Sequence, residues 1–391
     1  MDVLTVAQPP IVSPDRSNVL SGWLPPLDGI RGLAVVMVIM FHGSVGLVRH
    51  NLLERALYSV FGLGWTGVDL FFVLSGFLIT GILMNSREAE NYFSSFYMRR
   101  ILRIFPVYYL SLAVVFVLLP LIAPNDMPPI ASGLERAGYL FYAQNWIHRT
   151  AFALTGHYWS LAVEEQFYLV WPLIIASFAP KRILQIIIGA CAFSILLRFA
   201  LIAQKADLQT IIWNTFARMD SLLIGAACSI ALQSRPVVER LRRYTWWLWC
   251  MPVITLGGLR LISGPFDQTV PLVQGIGFTI IALSYAGFIV AAVLTMGSRS
   301  MIQQFLTSRF MRGLGKYSYA AYIWHVAVGR FTWWCELTLL HRGLPPLVNI
   351  PLVLLITLAV SMCTYALVER PILTFKRYFE PRWRPRVANA V

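Results

Sequence analysis

The sequence is short of charge. Only 13% of its 391 residues are Asp, Glu, Lys or Arg, whereas 58% are hydrophobic. A soluble globular domain carries about 25% charged residues, so this composition indicates a membrane protein instead. Negatively charged residues are fewer than positively charged ones, with 18 acidic and 32 basic residues. The basic excess lies in short loops and forms no basic face, so we expect no nucleic-acid partner.

Cysteine is also rare. The five cysteines lie singly in or near apolar segments, with neither C-x-x-C spacing nor a clustered disulfide pattern. We therefore expect them to be small core residues, and we expect no metal site. Residues 1–23 contain no charged segment followed by an apolar run, so we expect no cleavable signal peptide.

Long apolar runs, in contrast, are abundant. A helix needs about 20 apolar residues to cross a bilayer, and ten runs of that kind cover residues 27–48, 60–84, 104–123, 157–178, 182–203, 211–232, 245–262, 270–296, 316–340 and 347–368. The sequence predicts an all-α polytopic membrane protein. We expect one membrane domain at residues 24–376, with cytoplasmic tails at residues 1–23 and 377–391.

The positions of Lys and Arg predict the orientation. They gather in residues 85–103, 181–182, 233–243 and 299–316 and after Arg370. All five clusters fall on the side of the N-terminus if residues 134–147, a short and polar segment, do not cross. The positive-inside rule places that side in the cytoplasm. We predict ten spans, both termini cytoplasmic, and a re-entrant or interfacial segment at 134–147.

The first predicted span contains Arg31 and His42, eleven residues apart. Eleven residues make about three helical turns, so both side chains project from one face, with a rise of about 16 Å between them. Ionisable groups inside a bilayer are costly and usually face the protein interior or a polar cavity. The pair is a candidate functional site. The alternative is an anchoring arginine at the inner surface and a hydrogen-bonded core histidine.

The second predicted span carries Asp69, which we expect in the outer part of the bilayer. An intramembrane aspartate is either functional or paired for structure. Ser75 and Gly76 follow on the same helix, and we expect them to permit close helix packing.

The fourth predicted span contains two adjacent carboxylates, Glu164 and Glu165, which we expect at middle to outer depth, near His42. Neighbouring residues on a helix point about 100° apart. One glutamate is therefore expected to face a cavity, and the other to pair with Arg198 or Arg218. For Arg218 and Asp220 we predict a structural ion pair.

Arg100 and Arg103 lie three residues apart, so they are neighbours on one helical face at the inner surface. Guanidinium groups bind phosphates in bidentate fashion, which suits a phosphorylated cytoplasmic ligand. The alternative is that these arginines only set the topology.

His325 lies nine residues, about 14 Å, from the inner end of the ninth span, at a depth close to that of His42. We expect it to be a packed, hydrogen-bonded histidine.

These residues stand in motifs that resemble the bacterial integral membrane acyltransferases, the family of O-antigen, exopolysaccharide and nodulation-factor O-acetylases. The matching pieces are LDGIRGLA at 27–34 with His42, GVDLFFVLSGF at 67–77, RRILRIFP at 99–106, WSLAVEEQFY at 159–168, YSY at 317–319 with His325, and ERP at 369–371. They occur in the family's order across residues 24–376.

The resemblance implies transfer of an acyl group, often acetyl, from cytoplasmic acyl-coenzyme A to a hydroxyl of a carbohydrate or similar acceptor, in the bacterial inner membrane. It implies that His42 is the catalytic histidine with Arg31 as its motif partner. It further implies that Arg100 and Arg103 bind the coenzyme, and that residues 164–165 form an essential acidic motif.

From these roles we expect the coenzyme phosphates on Arg100 and Arg103 and its pantetheine arm directed toward His42. His42 either deprotonates the acceptor hydroxyl or takes the acyl group itself. Asp69, Glu164 or Glu165 would orient the imidazole or the acceptor. Many members carry an extra hydrolase-like domain at the C-terminus, whereas about 15 residues follow Lys376 here. We expect any outer step to use the membrane domain or a partner.

Two other classes of protein stay open at this point. Ten spans with intramembrane His, Asp and Glu also suit a transporter or flippase for a glycan precursor or small metabolite. The sequence shows no inverted repeat or paired broken helix in support of it. A non-catalytic scaffold or sensor is the third possibility. The sequence does not distinguish between the possible acceptors, which are lipid-linked O-antigen, exopolysaccharide, lipochitin oligosaccharide, other glycolipids and small metabolites.

Overall fold

The chain folds into helices joined by turns. The computed structural model describes residues 22–44, 52–122, 133–147, 154–263 and 268–383, except for the side chains of Leu53 and Ser263, and these ranges contain no β-strand. Ten of their helices have 17 or more residues: α1 Pro25–Ser44, α2 Gly67–Asn85, α3 Tyr92–Ala113, α4 Trp159–Ser177, α5 Pro180–Ala203, α6 Thr215–Ala231, α7 Thr245–Ser263, α8 Phe278–Leu294, α9 Arg309–Leu340 and α10 Pro346–Thr364. The predicted all-α class is confirmed.

Shorter helical pieces extend or connect these ten. The α-helical ones are Leu52–Phe61, Leu119–Ile122, Gly133–Leu140, Leu208–Trp213, Arg235–Arg243, Met301–Thr307 and Arg370–Leu373. Wide π-type turns occupy Val114–Leu118, Val273–Gly277 and Tyr365–Glu369, and 3₁₀ turns occupy Gly62–Thr66, Gln144–Trp146, Gly156–Tyr158 and Thr374–Phe379.

Most of the predicted spans are apolar enough to cross a membrane. Among the described residues, seven helical segments pass this test: Pro25–Ser44, Glu54–Ser86, Tyr92–Leu121, Pro180–Ala203, Thr245–Ile262, Val273–Leu294 and Pro346–Phe379. An eighth is added if Leu208–Ala231 and Arg235–Arg243 count as one span that is bent by 108° at the break between them. The predicted spans at 157–178 and 316–340 correspond to α4 and α9, which are long enough but more polar. The protein is a multi-pass membrane protein, and the number ten and the orientation stay predictions.

The segment at residues 134–147 does not form a membrane-spanning helix. It contains Gly133–Leu140, which has eight residues, and a 3₁₀ turn at Gln144–Trp146. Eight residues of helix rise only about 12 Å, well short of the roughly 30 Å of a bilayer core. This agrees with the prediction that the segment does not cross.

Two close helix contacts position the site. α1 packs most extensively against α9, and α2 packs against α6. In the second contact, a Cβ added at Gly76 would lie 1.8 Å from the carbonyl oxygen of Leu222, and one added at Gly225 would lie 1.9 Å from that of Val73. Gly76 therefore permits close packing, as predicted. Ser75 instead shares a hydrogen bond of 2.6 Å with the hydroxyl of Tyr168 on α4.

The outer faces of several helices are apolar and exposed. On α5, Ile188 and Leu196 are 69% and 67% exposed, and on α7 Leu261 is 87% exposed. Side chains of this kind suit contact with lipid tails.

All five cysteines are free. Cys191 and Cys228 pack against the hydrophobic core, whereas Cys363 on α10 is exposed. The prediction of core residues is therefore wrong for Cys363, which lies on an outward face.

The chain after α10 returns to the start of α3. The hydroxyl of Ser95 donates to the carbonyl of Phe379 at 2.7 Å, and the amide of Arg382 donates to Oδ1 of Asn91 at 2.8 Å. Packing against the membrane domain therefore continues beyond residue 376, the predicted end of that domain.

Candidate active site

Three arginines line one cavity of about 750 Å³, called here the arginine cavity. Arg31 comes from the second turn of α1, and Arg100 and Arg103 come from adjacent turns of α3; Glu164 and Glu165 of α4 also line it. The sequence-predicted coenzyme pair and the motif arginine thus share one site.

Local contacts hold two of these guanidinium groups. Arg31 donates to Oδ1 of Asp28, one turn earlier on α1, at 3.0 Å. The guanidinium carbon of Arg100 lies 5.8 Å and 5.6 Å from the ring centroids of Phe96 and Tyr168. These distances are typical of cation–π contacts, which leave the N–H groups of Arg100 available to a ligand.

The predicted placement of Glu164 and Glu165 is wrong in two respects. Both face the arginine cavity rather than one facing it and one pairing elsewhere, and they lie with the arginines rather than with His42. The reason is that α4 begins at Trp159, at the level of the histidines. Glu164 follows five residues later, about 8 Å along the helix axis.

A second cavity, of about 1080 Å³, has His42 in its wall and is called here the histidine cavity. Its other polar lining residues are His157, Gln209, Arg218, Gln268 and Tyr322, and the indole rings in its wall belong to Trp65, Trp159 and Trp213. The two predicted residues of α1 therefore serve different cavities: Arg31 the first and His42 the second.

Three histidines form a cluster in which His42 and His157 line the histidine cavity and His325 packs against both. His325 on α9 lies beside His42, with ring centroids 4.8 Å apart and with Nε2 of His325 3.3 Å from Nδ1 of His42. The ring of His157 lies 4.6 Å from that of His325 and 6.2 Å from that of His42. This confirms that His325 and His42 lie at one depth. His325 is buried and hydrogen-bonded, as predicted.

The two cavities adjoin each other. Val68 of α2 and Tyr322 of α9 line both of them. The Tyr322 hydroxyl is held in place by a hydrogen bond of 2.6 Å with Ser160 and by donation to the carbonyl oxygen of His157 at 3.1 Å. Val68 and Tyr322 therefore lie between the arginines of one cavity and the histidines of the other.

Asp69 lines neither cavity. Its Oδ1 accepts from Nη2 of Arg218 at 2.7 Å and from the hydroxyl of Ser221 at 3.1 Å. Arg218 also lies over the ring of Phe278, 3.7 Å from the centroid. The structure thus gives Asp69 a direct contact with a lining residue of the histidine cavity and, among the described residues, no hydrogen bond to an imidazole. A role in orienting the imidazole or the acceptor stays a prediction.

The predicted ion pair between Arg218 and Asp220 is wrong. Asp220 accepts from Nη1 of Arg198 at 2.9 Å and from the hydroxyl of Thr279 at 2.6 Å. Residues two apart on a helix point to nearly opposite sides, so Arg218 and Asp220 take partners on different neighbouring helices. Arg198 and Arg218 therefore pair with aspartates, and the predicted pairing of a glutamate with either arginine is wrong.

The comparison with known families decides the classification. A family model described as an acyltransferase domain matches residues 25–366, which include every residue of both cavities. The chain belongs to this acyltransferase family. The resemblance read from the motifs is confirmed.

Curated relatives of this acyltransferase are O-acetyltransferases by name. The O-acetyltransferase OatA of Staphylococcus aureus is 27% identical over 94% of this chain and 61% of its own length. The peptidoglycan O-acetyltransferase OatA of Listeria monocytogenes is 28% identical over 78% of this chain and 49% of its own. The putative peptidoglycan O-acetyltransferase YrhL of Bacillus subtilis is 28% identical over 90% and 55%. The acyltransferase spans about half to three fifths of their lengths. No solved structure matches it.

Sequence reasoning assigned no role to His157 and Tyr322. His157 stood two residues before the WSLAVEEQFY motif, and Tyr322 stood three residues before His325, so both were adjacent to chemistry-bearing positions. The hydrogen bond between them joins the 3₁₀ turn before α4 to α9 and links residues that are 165 positions apart in the chain. A pairing at that separation leaves no periodic signal in one sequence.

Proposed function

We propose that this protein is an O-acyltransferase of the bacterial inner membrane that moves an acetyl group from acetyl-coenzyme A to a hydroxyl of a cell-envelope carbohydrate. The observation that carries the proposal is the adjacency of the two cavities. One offers three guanidinium groups, the other offers the histidines, and they meet at Val68 and Tyr322.

The arginine cavity suits the donor. Coenzyme A carries a pyrophosphate and a 3′-phosphate, and guanidinium groups bind phosphate oxygens through paired, charge-assisted hydrogen bonds. Arg31, Arg100 and Arg103 supply three such groups from two helices. In the predicted orientation these arginines lie toward the cytoplasm, where acyl-coenzyme A is made available. The pantetheine arm would then reach past Val68 and Tyr322.

The histidine cavity suits a carbohydrate acceptor. Nε and Nη1 of Arg218 are buried and have no hydrogen-bond partner among the described residues, and the same holds for both ring nitrogens of His157. Buried donors without partners are costly, so a ligand rich in oxygen is favoured there. The indoles of Trp65 and Trp159 offer flat apolar surfaces for a sugar ring. Two of the relatives are named as peptidoglycan O-acetyltransferases, which makes peptidoglycan the first acceptor to test.

His42 is the residue placed to act on the reacting atoms. In direct transfer, its imidazole takes the proton of the acceptor hydroxyl as the oxygen attacks the thioester carbon. The carbon–sulfur bond breaks, and the thiolate receives the proton. In the two-step route, the imidazole itself attacks the thioester and passes the acyl group on. Rapid denaturation at neutral pH of protein incubated with radiolabelled acetyl-coenzyme A, without acceptor, separates the routes: only the second leaves label on His42.

The proposal is tested with purified protein in lipid nanodiscs, supplied with radiolabelled acetyl-coenzyme A and one acceptor at a time. The acceptors are a peptidoglycan disaccharide, an O-antigen oligosaccharide and an exopolysaccharide fragment. We expect an alkali-labile ester on one of them, with one free thiol formed per ester. The proposal is contradicted if no acceptor gains an ester, or if proteoliposomes take up a glycan precursor without any acyl donor.

The side of donor binding has its own test. Sealed inverted membrane vesicles should use added acetyl-coenzyme A, whereas right-side-out vesicles should not, because the coenzyme does not cross a bilayer. Equal use by both preparations would contradict the cytoplasmic placement of the arginine cavity.

A further inference from the structure

We propose that His325 is a positioning residue for His42: Nε2 of His325 accepts a hydrogen bond from Nδ1–H of His42, which leaves Nε2 of His42 bare toward the histidine cavity. The inference about the protons rests on hydrogen-bond geometry alone. Its catalytic consequence rests on the proposed function, in which His42 acts on the acceptor hydroxyl.

The first step concerns the proton on His325. Its Nδ1 lies 2.7 Å from the carbonyl oxygen of Tyr322, three residues earlier on α9. A carbonyl oxygen only accepts hydrogen bonds, so Nδ1 of His325 must carry the hydrogen. In a neutral imidazole with a protonated Nδ1, Nε2 is an acceptor. The imidazole of His325 is buried and packs against the rings of His42 and His157, which favours the neutral ring.

The second step concerns the proton on His42. Its Nδ1 lies 2.9 Å from the carbonyl oxygen of Val38, four residues earlier on α1, and 3.3 Å from Nε2 of His325. Both neighbours are acceptors, so Nδ1 of His42 must be the protonated nitrogen, and its one hydrogen is shared between the carbonyl oxygen and His325. The lone pair of His42 is then on Nε2. No hydrogen bond from the described part of the chain occupies that nitrogen, and the ring lines the histidine cavity.

The third step concerns charge. When Nε2 of His42 takes the proton of the acceptor hydroxyl, an O–H bond breaks, an N–H bond forms and the imidazole becomes positive. The hydrogen bond from Nδ1 to His325 then becomes charge-assisted and stronger. His325 thus stabilises the cationic ring that forms during the reaction. It fulfils the orienting role that a carboxylate has in a catalytic triad, without adding a buried negative charge.

Three substitutions separate this role from packing. In His325→Gln the amide oxygen can replace Nε2 as the acceptor for His42. In His325→Asn the shorter side chain retains only a donor toward the carbonyl oxygen of Tyr322. In His325→Phe only the aromatic ring is retained. We expect His325→Gln to keep kcat close to the wild-type value. The other two should lower kcat by about 10- to 100-fold, the effect of losing one hydrogen bond to a charge, with the KM for acetyl-coenzyme A unchanged. His341→Gln, at the exposed end of α9, is the control and should behave as wild type.

The tautomers are measured independently of activity. Nitrogen NMR of protein labelled with ¹⁵N-histidine distinguishes a protonated from a bare ring nitrogen, and difference spectra against His42→Gln and His325→Gln assign the two rings. We expect both rings as Nδ1–H with a bare Nε2. A bare Nδ1 on either ring overturns the proposal. It is also overturned if His325→Phe keeps the wild-type kcat, or if all three variants fold and lose kcat equally. If no acyl transfer occurs at all, the proposed function fails while the NMR result still decides the tautomers.

Discussion

Arg218 on α6 donates to Asp69 on α2 at 2.7 Å, and the two side chains are only 2% and 0% exposed. This buried ion pair joins the two helices that pack through Gly76 and Gly225. It also holds a guanidinium group at the wall of the histidine cavity. Removing one partner leaves an uncompensated buried charge, which is far more costly than replacing both.

Asp69→Asn should therefore destabilise the protein by about 3–5 kcal/mol, measured as thermal unfolding in detergent. The double variant Asp69→Asn with Arg218→Met should regain much of that loss, because no buried charge is left unpaired. Wild-type stability of Asp69→Asn combined with lost acyl transfer would instead assign Asp69 a direct role in the chemistry.

Gly76→Ala tests the α2–α6 contact. The new methyl group would lie 1.8 Å from the carbonyl oxygen of Leu222, so the helices must separate, at a cost of about 1–3 kcal/mol. The matched control is Gly189→Ala on α5, where an added Cβ has no atom within 4 Å; there, alanine should be neutral or stabilising. Equal melting temperatures for the two variants would show that the contact is looser than the structure has it.

Arg100→Ala combined with Arg103→Ala should raise the KM for acetyl-coenzyme A by about tenfold or more, since one hydrogen bond to a charged group contributes about 1.5–3 kcal/mol. Arg99→Ala is the control, because Arg99 lies in the same turn of α3 and does not line the arginine cavity. Initial rates at varied donor concentration give the comparison. An unchanged KM in the double variant would remove the pair from donor binding.

Val68→Trp should separate donor binding from transfer. Val68 lines both cavities, and a bulky indole there would fill the route between the arginines and the histidines. We expect acyl transfer to fall to background while binding of acetyl-coenzyme A, measured by equilibrium dialysis, persists. Val68→Ala, which widens the route, should remain active. Transfer at wild-type rates in Val68→Trp would mean that the acyl group travels by another path.

The sequence predicted the class of fold and the common depth of His42 and His325, because both follow from helical periodicity and rise. His325 and His42 lie on helices far apart in the chain, yet counting residues from each helix end predicted their common depth. The same count of residues predicted the wrong depth for Glu164. That depth depends on where α4 begins, and a 3₁₀ turn at Gly156–Tyr158 precedes the helix.

Partners across helices could not be predicted from the sequence. Arg218 and Asp220 were obvious candidates for each other by proximity along the chain, but helical geometry directs them to different neighbours. Asp69 and Arg198 are their actual partners, and which helices adjoin is decided by packing over the whole domain. The separation of Arg31 and His42 into two adjoining cavities depended on the same packing.

The central claim is that His42 acts on the reacting atoms. The direct test is His42→Gln in nanodiscs with radiolabelled acetyl-coenzyme A and the carbohydrate acceptor that the wild-type protein esterifies, beside the His341→Gln control. The account predicts that His42→Gln folds, binds the donor and forms no ester above background, while the control matches the wild type. Ester formation by His42→Gln at the wild-type rate would contradict it.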